Sequence, residues 1–199
     1  MNDDLTVVID TREQWPLVFN CPTVRGTLHT GDYSVQGYEN EIAIERKGVD
    51  DLVSCLKNDN RERFERELDR GRSLNYFALC IESDLSAISN HRYQSCMNTV
   101  SVIQSLVTFS VRYRLPIFFC PNRQYTARIT ESLLQKYHRE SNLISEASVI
   151  AKLRSQGIGQ NSGDYRDYVA AKKCIFDGKI VNPDIYEKTN KWIVKYIGV

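Results

Sequence analysis

Hydrophobic residues recur at every second position along residues 30–47, and this period of two predicts two β-strands joined as a hairpin. Tyr33 and Val35 share one face of the first strand, and Ile42 and Ile44 share the same face of the second. The residues between them project from the opposite face. The hairpin therefore has one face for the core and one face that carries charge.

The predicted strand pairing, with Tyr33 opposite Ile44, brings two acidic side chains together. In that register Asp32 lies opposite Glu45, with side chains roughly 5 Å apart. Opposed carboxylates repel unless one is protonated or a cation lies between them, and hard oxygen ligands at this spacing suit Mg²⁺ or Mn²⁺. Lys47 projects to the same face as Glu45. A divalent ion beside an ammonium group can hydrolyse a phosphodiester, because both stabilise charge on the phosphate and the ion activates water.

Elsewhere, continuous apolar runs predict buried strands, and apolar residues three or four apart predict amphipathic helices. The predicted strands are residues 5–9, 75–82 and 117–120, with a further strand that begins at 27–30 and leads into Asp32. The predicted helices are residues 48–56, 59–72, 97–114 and 125–137. Strands that alternate with helices after an initial hairpin indicate an α/β fold, in which helices flank a mixed central sheet.

The segment 14–25 is predicted to be an irregular connection, because Pro16 and Pro22 interrupt it. We expect Trp15 to cover an edge of the core there.

Length and charge limit the possible functions. The chain has 199 residues and a mass of 23.0 kDa, enough for one sizeable domain with a small appendage. Net charge is +1, so no overall positive field indicates nucleic acid, although acidic site residues can mask a local basic patch. The six cysteines include no C-x-x-C pair, which favours free thiols in a reducing cytosol. No apolar run approaches the roughly 20 residues of a membrane span.

Three motifs follow one another near the start of the chain: V-V-I-D-T-R-E at residues 7–13, G-D-Y at 31–33, and E-R-K-x-x-x-D at 45–51. Together they resemble the nuclease motif of the XPF family of structure-specific endonucleases, a branch of the PD-(D/E)xK fold. An isolated E-x-K is common by chance, whereas this compound pattern at the family's spacing is specific. The resemblance implies a restriction-endonuclease-like core in residues 1–140. Beyond it the resemblance ends, and we predict a small helical C-terminal extension in residues 141–199.

The resemblance also implies which residues carry the chemistry. Asp10, Asp32 and Glu45 would bind Mg²⁺, for which Mn²⁺ would substitute. Lys47 would handle the attacking water. Taken without the resemblance, Asp10 is equally well interpreted as the start of a turn.

Three further motif residues would support this site. Glu13 and Asp51 would assist the metal ligands, and Arg46, on the opposite face of its strand, would engage a phosphate or lock a carboxylate. From the residues alone, Glu13 is a solvated loop charge and Asp51 stabilises a helix dipole.

The charged helix predicted at residues 59–72 carries candidate DNA contacts. Arg63, and after it Arg61, are the candidates, because the family has a basic residue in this helix near the scissile strand. Glu65 and Glu67 lie four residues after Arg61 and Arg63, so a self-neutralised solvent face is an open alternative.

We therefore predict a Mg²⁺-dependent endodeoxyribonuclease that cuts branched, flapped or junction DNA, as DNA repair and recombination require. One alternative is a catalytically inactive DNA-binding scaffold or partner subunit with a nuclease fold, and another is a sequence-specific restriction-type nuclease. The expected partners are branched or partly single-stranded DNA and a second copy or partner protein, without a membrane. We expect a cytoplasmic location in a bacterial, phage or mobile-element setting, or a nuclear one in a eukaryote.

The predicted extension offers two weaker signals. G-D-Y recurs at residues 163–165, but no strand with E-x-K follows it, so we interpret it as the start of a helix. Residues 153–159 faintly resemble one of the helix-hairpin-helix motifs that usually follow the family's nuclease domain.

Overall fold

The computed structural model describes the backbone of residues 5–155 and the side chains of residues 5–141. Its strands are β1 (Val7–Asp10), β2 (Thr23–Gly26), β3 (Tyr33–Val35), β4 (Ile42–Gly48), β5 (Tyr76–Glu82) and β6 (Ile117–Phe119). Its helices are α1 (Val49–Cys55), α2 (Asn58–Arg72), α3 (Leu85–Ser89), α4 (Thr99–Tyr113) and α5 (Arg123–Ser155). Within this part of the chain, no helix combines the length and hydrophobicity needed to cross a lipid bilayer.

The strands form one mixed sheet in the order β2-β1-β3-β4-β5-β6. β3 is antiparallel to both of its neighbours, β1 and β4, while β5 runs parallel to β4 and to β6. Tyr33 lies opposite Ile44, which confirms the predicted register of the hairpin. Because β1, β4 and β5 run in the same direction, their carboxyl ends meet at one edge of the sheet, where α/β proteins place their ligands.

Helices cover both faces of the sheet, and the predicted α/β class is confirmed. The layer formed by α1, α2 and α4 packs on one face through buried side chains that include Leu52, Phe64 and Phe109. Helix α5 packs on the other face through Ala127 and Leu134. Each face of the sheet therefore has its own apolar core.

The structure differs from the sequence prediction between β1 and β3. Residues 23–26 form a strand inside the segment predicted to be irregular, and residues 27–30 are not part of a strand. β2 lies at the edge of the sheet with β1 on one side only, and its side chains are exposed or half-buried, so it lacks the apolar run that marks a buried strand. Trp15 is 75% exposed and does not cover the core, while Leu17 is buried.

Helix α5 extends well past its predicted end. It comprises 33 residues, whereas we predicted a helix at 125–137. The domain boundary at 140 stays a prediction. No proline or glycine lies between Pro121 and Gly157, so the local sequence contains no residue that would stop the helix. Residues Leu5–His138 form one compact unit. The helical extension stays a prediction, and both of its sequence signals lie largely or wholly outside the described residues.

Candidate active site

Alternate residues of β4 point into different layers, and this divides the E-R-K motif. Ala43 belongs to the core under α1 and α2, and Glu45 and Lys47 follow it on the same face. Ile44 belongs to the core under α5, and Arg46 follows it there. The predicted separation of Arg46 from Glu45 and Lys47 is confirmed.

Asp32 is fixed against β4 by the turn that precedes it. Gly31 has a φ of 78°, and a Cβ at this position would lie 2.8 Å from the Cβ of Ala43, so only glycine allows this close approach. The Oδ2 atom of Asp32 accepts a hydrogen bond of 2.8 Å from the backbone N–H of Arg46. The carboxylate of Asp32 is thereby held beside Glu45, as the register predicted.

Glu45 is buried, with 2% of its side chain exposed, and its Oε1 atom accepts a hydrogen bond from the ammonium group of Lys47. That ammonium group lies 5.4 Å from the centroid of the Phe64 ring in α2, on which the cation also rests. Lys47 is therefore held at the carboxylate pair by a charge on one side and an aromatic face on the other.

The protonation equilibria reflect two carboxylates that share a buried edge. Burial raises the pKa of Asp32 to about 6. Burial, and after it the charge of Asp32, raises the pKa of Glu45 well above its usual range. Burial lowers the pKa of Lys47, but the attraction of Glu45 outweighs it, so the pKa is raised and the ammonium form is favoured. Burial and mutual repulsion thus disfavour the ionised form of both carboxylates, and the single positive charge of Lys47 offsets only part of this effect.

Glu67 in α2 adds a third carboxylate that we did not predict at this site. It is close enough to raise the pKa of both Asp32 and Glu45. Its backbone carbonyl lies 3.4 Å from the hydroxyl group of Thr30, which ties α2 to the turn before Asp32. The sequence contained a signal, because Glu67 adjoins the buried stripe of Phe64 and Leu68, but its spacing from Arg63 suggested a surface ion pair.

Asp10 is 1% exposed, and its carboxylate is fully hydrogen-bonded. Oδ1 accepts from N and Nε of Arg12 at 2.9 and 2.7 Å, and Oδ2 accepts from Nη2 of Arg12 at 3.1 Å and from N of Leu28 at 2.7 Å. A carboxylate has about four acceptor positions, so these bonds leave none for a metal. The geometry gives Asp10 a structural role, and the predicted role as a metal ligand would require Arg12 to move. Arg12 belongs to the first motif, but the sequence analysis gave it no function.

On the other side of β4, the guanidinium group of Arg46 joins two carboxylates. Nη2 lies 3.2 Å from both carboxylate oxygens of Glu13, and Nη1 lies 3.2 Å from Oε2 of Glu82. Glu82 in turn lies 3.6 Å from Nη1 of Arg123 at the start of α5. Of the two roles left open for Arg46, the structure contains the lock on carboxylates. Glu82 and Arg123 were missed, although Glu82 ends a buried strand at the edge where the motif residues gather.

The remaining predicted residues have different surroundings. Asp51 is exposed in the first turn of α1, where its charge suits the helix dipole, and its side chain forms no hydrogen bond or ion pair with another described residue. Arg61 forms an ion pair of 2.9 Å with Glu65 and packs over the ring of Phe109 at 5.1 Å. Arg63 is exposed and has no ion pair within the described residues, so it is the freer of the two predicted DNA contacts.

The carboxylates at this edge of the sheet can be compared with the ligands that a divalent ion prefers. Among the described residues, no group of three or more His, Cys, Asp or Glu side chains is gathered to hold a metal by itself. Mg²⁺ typically takes one or two carboxylates and completes its shell with water and substrate phosphate. The pair of Asp32 and Glu45, buried and only partly neutralised, fits this pattern.

Comparisons with known proteins show which family and which solved structures this chain resembles. The family model of the ERCC4 domain matches residues 9–133. The structure of XPF from Aeropyrum pernix is similar with a TM-score of 0.56 at 19% identity, over 83% of this chain and 80% of that one. XPF from Aeropyrum pernix in complex with DNA is similar with a TM-score of 0.52 at 17% identity, over 68% of this chain and 66% of that one. No curated protein sequence matches the chain. The predicted resemblance and the restriction-endonuclease-like core are confirmed.

The structural role of Asp10 can be tested by Asp10→Asn. The amide would weaken the bonds from Arg12 and turn a donor toward the N–H of Leu28, so we expect the free energy of unfolding to fall by about 1.5–3 kcal/mol in urea titrations. Burial raises the pKa of Asp10, but the hydrogen bonds outweigh it and the pKa is lowered. The stabilisation is therefore present above the unfolded-state pKa and lost as pH falls through the folded-state value, so wild type and variant should converge in acid.

Asp69→Asn is the matched control, because Asp69 is exposed and its side chain forms no hydrogen bond or ion pair with another described residue. This variant should unfold like the wild type. Unchanged stability of Asp10→Asn together with lost Mg²⁺ affinity would restore Asp10 as a metal ligand.

Proposed function

Because this chain belongs to the ERCC4 domain family, we propose that it is a Mg²⁺-dependent endodeoxyribonuclease that cuts branched, flapped or junction DNA. The observation that carries the proposal is the buried pair of Asp32 and Glu45 with Lys47 held against it. A domain that only bound DNA would gain nothing from carboxylates at this edge, since they repel phosphates. A nuclease needs them, because they recruit the cation that phosphodiester hydrolysis uses.

Asp32 and Glu45 would hold the ion, and Mn²⁺ would substitute for Mg²⁺. Bound there, the ion would neutralise charge on the phosphate and lower the pKa of the attacking water. Lys47 would orient that water or stabilise the phosphoryl oxygens, and its ion pair with Glu45 keeps the ammonium group beside the carboxylates that would hold the ion.

The other motif residues would keep this set in place. Arg46 donates its backbone N–H to Asp32, while its side chain binds Glu13, so one residue links the metal-binding face of β4 to the opposite face. Such preorganisation matters because small misplacements of catalytic groups lower the rate strongly. Assistance by Asp51 stays a prediction.

Support for DNA as the substrate comes from the relative that was solved in complex with DNA. The net charge of +1 means that affinity must arise from local cations and not from an overall field. Exposed arginines near the site, among them Arg12 and Arg63, would supply such contacts. Association with a second copy or a partner protein remains a prediction.

The function is tested with end-labelled flap, fork, nicked, Holliday-junction and plain duplex DNA in Mg²⁺, Mn²⁺, Ca²⁺ or EDTA. We expect cleavage of the branched substrates in Mg²⁺ and Mn²⁺, and binding without cleavage in Ca²⁺. Cutting of plain duplex at one sequence would instead indicate a restriction-type enzyme. Binding without cleavage under all conditions would indicate a scaffold.

Asp32→Asn and Lys47→Ala separate metal binding from catalysis. Asp32→Asn removes a ligand charge, so cleavage should fall at least about 100-fold and calorimetric Mg²⁺ affinity should fall with it. Stability of the metal-free protein should hold or rise, because a like-charge repulsion is removed. Lys47→Ala should lower cleavage by a similar factor but retain Mg²⁺ binding, since it removes no ligand. Normal cleavage by Asp32→Asn, or loss of metal binding in Lys47→Ala, would contradict these assignments.

Arg63→Ala and Arg61→Ala test the role of α2 in DNA binding. If Arg63 contacts a phosphate, its loss should weaken binding to every substrate in Ca²⁺ and reduce the slope of log K against log salt by about one. Arg61→Ala should leave that slope unchanged and lower thermal stability, because Arg61 binds Glu65 and packs on Phe109. If Arg61→Ala reduces the salt slope and Arg63→Ala does not, Arg61 leaves its ion pair with Glu65 to bind DNA.

A further inference from the structure

The segment at residues 11–17, which we call the β1 loop, is held by arginines from separate parts of the fold. Arg25 in β2 donates to the carbonyl oxygens of Asp10 and Glu13, each at 2.9 Å. Arg123 at the start of α5 donates to the carbonyl oxygens of Trp15 and, at 2.7 Å, Pro16. Long, flexible side chains are thus immobilised on the backbone of one short loop.

Two further bonds fix the loop at its centre and end. The backbone N–H of Trp15 donates to Oε1 of Glu13 at 2.8 Å, and this carboxylate is the one that Arg46 binds. The backbone N–H of Leu17 donates to the hydroxyl group of the buried Tyr33 at 3.0 Å. The backbone on both sides of Trp15 is therefore tied to residues of the catalytic motifs.

The indole of Trp15 itself is left in solvent. It is 75% exposed, and within the described residues it makes no ring contact, cation–π contact or side-chain hydrogen bond. Burial would stabilise the protein by about 25 cal/mol for each Å² of apolar surface removed from water, and the exposed indole does not gain this stabilisation. A rigid backbone that presents an exposed aromatic ring is the arrangement expected of a binding platform.

Charge indicates what the platform binds. A guanidinium group has five N–H donors, and those of Arg25 and Arg123 use only part of this capacity on the loop. Arg25 is exposed and the side chain of Arg123 is 44% exposed, so phosphates can reach their remaining donors. An aromatic face flanked by cations is the combination that binds an unpaired nucleotide, with the base stacked and the backbone neutralised.

The loop also lies where such a nucleotide would be found. It follows the carboxyl end of β1, at the edge of the sheet that carries Asp32 and the end of β4. Glu13, within the loop, binds the guanidinium group of Arg46 at 3.2 Å, and the backbone N–H of the same Arg46 donates to Asp32 at 2.8 Å. A branched DNA cut at Asp32 and Glu45 would have its unpaired strand near this loop.

We propose that Trp15 stacks on an unpaired base next to the cleavage site, and that Arg25 and Arg123 bind the adjoining phosphates. The inference rests on the proposed function and adds to it the feature that distinguishes branched from fully paired DNA. A paired base is stacked on its neighbours and cannot offer its face to the indole, whereas a base at a flap or fork can.

The test combines a protein change with a matching change in the DNA. Wild type and Trp15→Ala are titrated in Ca²⁺ with 5′-labelled flap DNA that carries either a normal base or an abasic site at each of the unpaired positions nearest the branch. Nicked, fully paired duplex serves as the substrate without a base to stack. Trp15→Phe retains an aromatic face, and Val18→Ala removes another exposed apolar side chain, 85% exposed, just beyond the loop.

We expect Trp15→Ala to weaken binding of flap DNA between about 5-fold and 150-fold, the range of one lost base–aromatic stack, and to leave binding of nicked duplex unchanged. One abasic position should weaken wild-type binding by the same factor and have no further effect on Trp15→Ala. Trp15→Phe should recover most of the affinity, and Val18→Ala should bind like wild type. In a Trp192→Phe background, where Trp15 is the only remaining tryptophan, flap DNA should quench the indole fluorescence.

Several results would overturn the inference. If the loss of binding free energy caused by Trp15→Ala and the loss caused by each abasic site add in full, the indole contacts no base. Equal losses on flap and nicked duplex, or unchanged DNA binding with altered self-association, would assign Trp15 to another partner. If wild type cuts branched DNA and any of these results holds, only this inference fails. If wild type neither binds nor cuts any DNA, the proposed function fails and the inference falls with it.

Discussion

Repulsion between Asp32 and Glu45 is the constraint around which this edge of the sheet is built. Their positions follow from the pairing of β3 with β4, and moving either strand by one residue would turn one of the carboxylates to the other face. The surrounding residues reduce the repulsion without removing it. Lys47 binds Glu45, and the backbone of Arg46 donates to Asp32. The pKa of both acids remains raised, and a bound cation would reverse this.

Arginine holds this region together to an unusual degree. Arg12 saturates Asp10, Arg46 joins Glu13 to Glu82, and Arg25 and Arg123 bind backbone carbonyls of the β1 loop. The planar, multidentate guanidinium group suits this use, because one side chain can satisfy acceptors on two elements at once. The same groups retain free donors toward solvent. A phosphate backbone could therefore be bound by residues that are already ordered, which lowers the entropy lost on binding.

The inner and outer faces of helix α2 carry residues with different roles. The ring of Phe64 lies against the ammonium group of Lys47, and the charge of Glu67 acts on Glu45. Arg61 is engaged by Glu65 and Phe109, which leaves Arg63 on the outer surface. Because α2 contacts Lys47 through Phe64 and carries Arg63 on its outer surface, DNA bound at Arg63, as we propose, would be coupled to the position of the lysine.

Sequence by itself determined the elements that depend on local patterns. Alternation fixed the hairpin and its register, apolar runs identified the buried strands, and the spacing of the motifs identified the family and placed Asp32, Glu45 and Lys47 together. The same reasoning failed where an element lacks the local pattern on which it relies. β2 was missed because an edge strand needs no apolar run. The full length of α5 was missed because the helix was ended at residue 137, although no proline or glycine follows before Gly157.

Only the tertiary structure decided which side chains remain available to bind a ligand. The motif resemblance predicted that Asp10 is a metal ligand and that Arg61 contacts DNA, and Trp15 was expected to cover an edge of the core. In the fold, Arg12 and Leu28 occupy the carboxylate of Asp10, Glu65 and Phe109 hold Arg61, and the indole of Trp15 faces solvent. Residue type states what a side chain can bind, but competition among neighbours that are distant in sequence determines what it does bind. That competition exists only once the chain has folded.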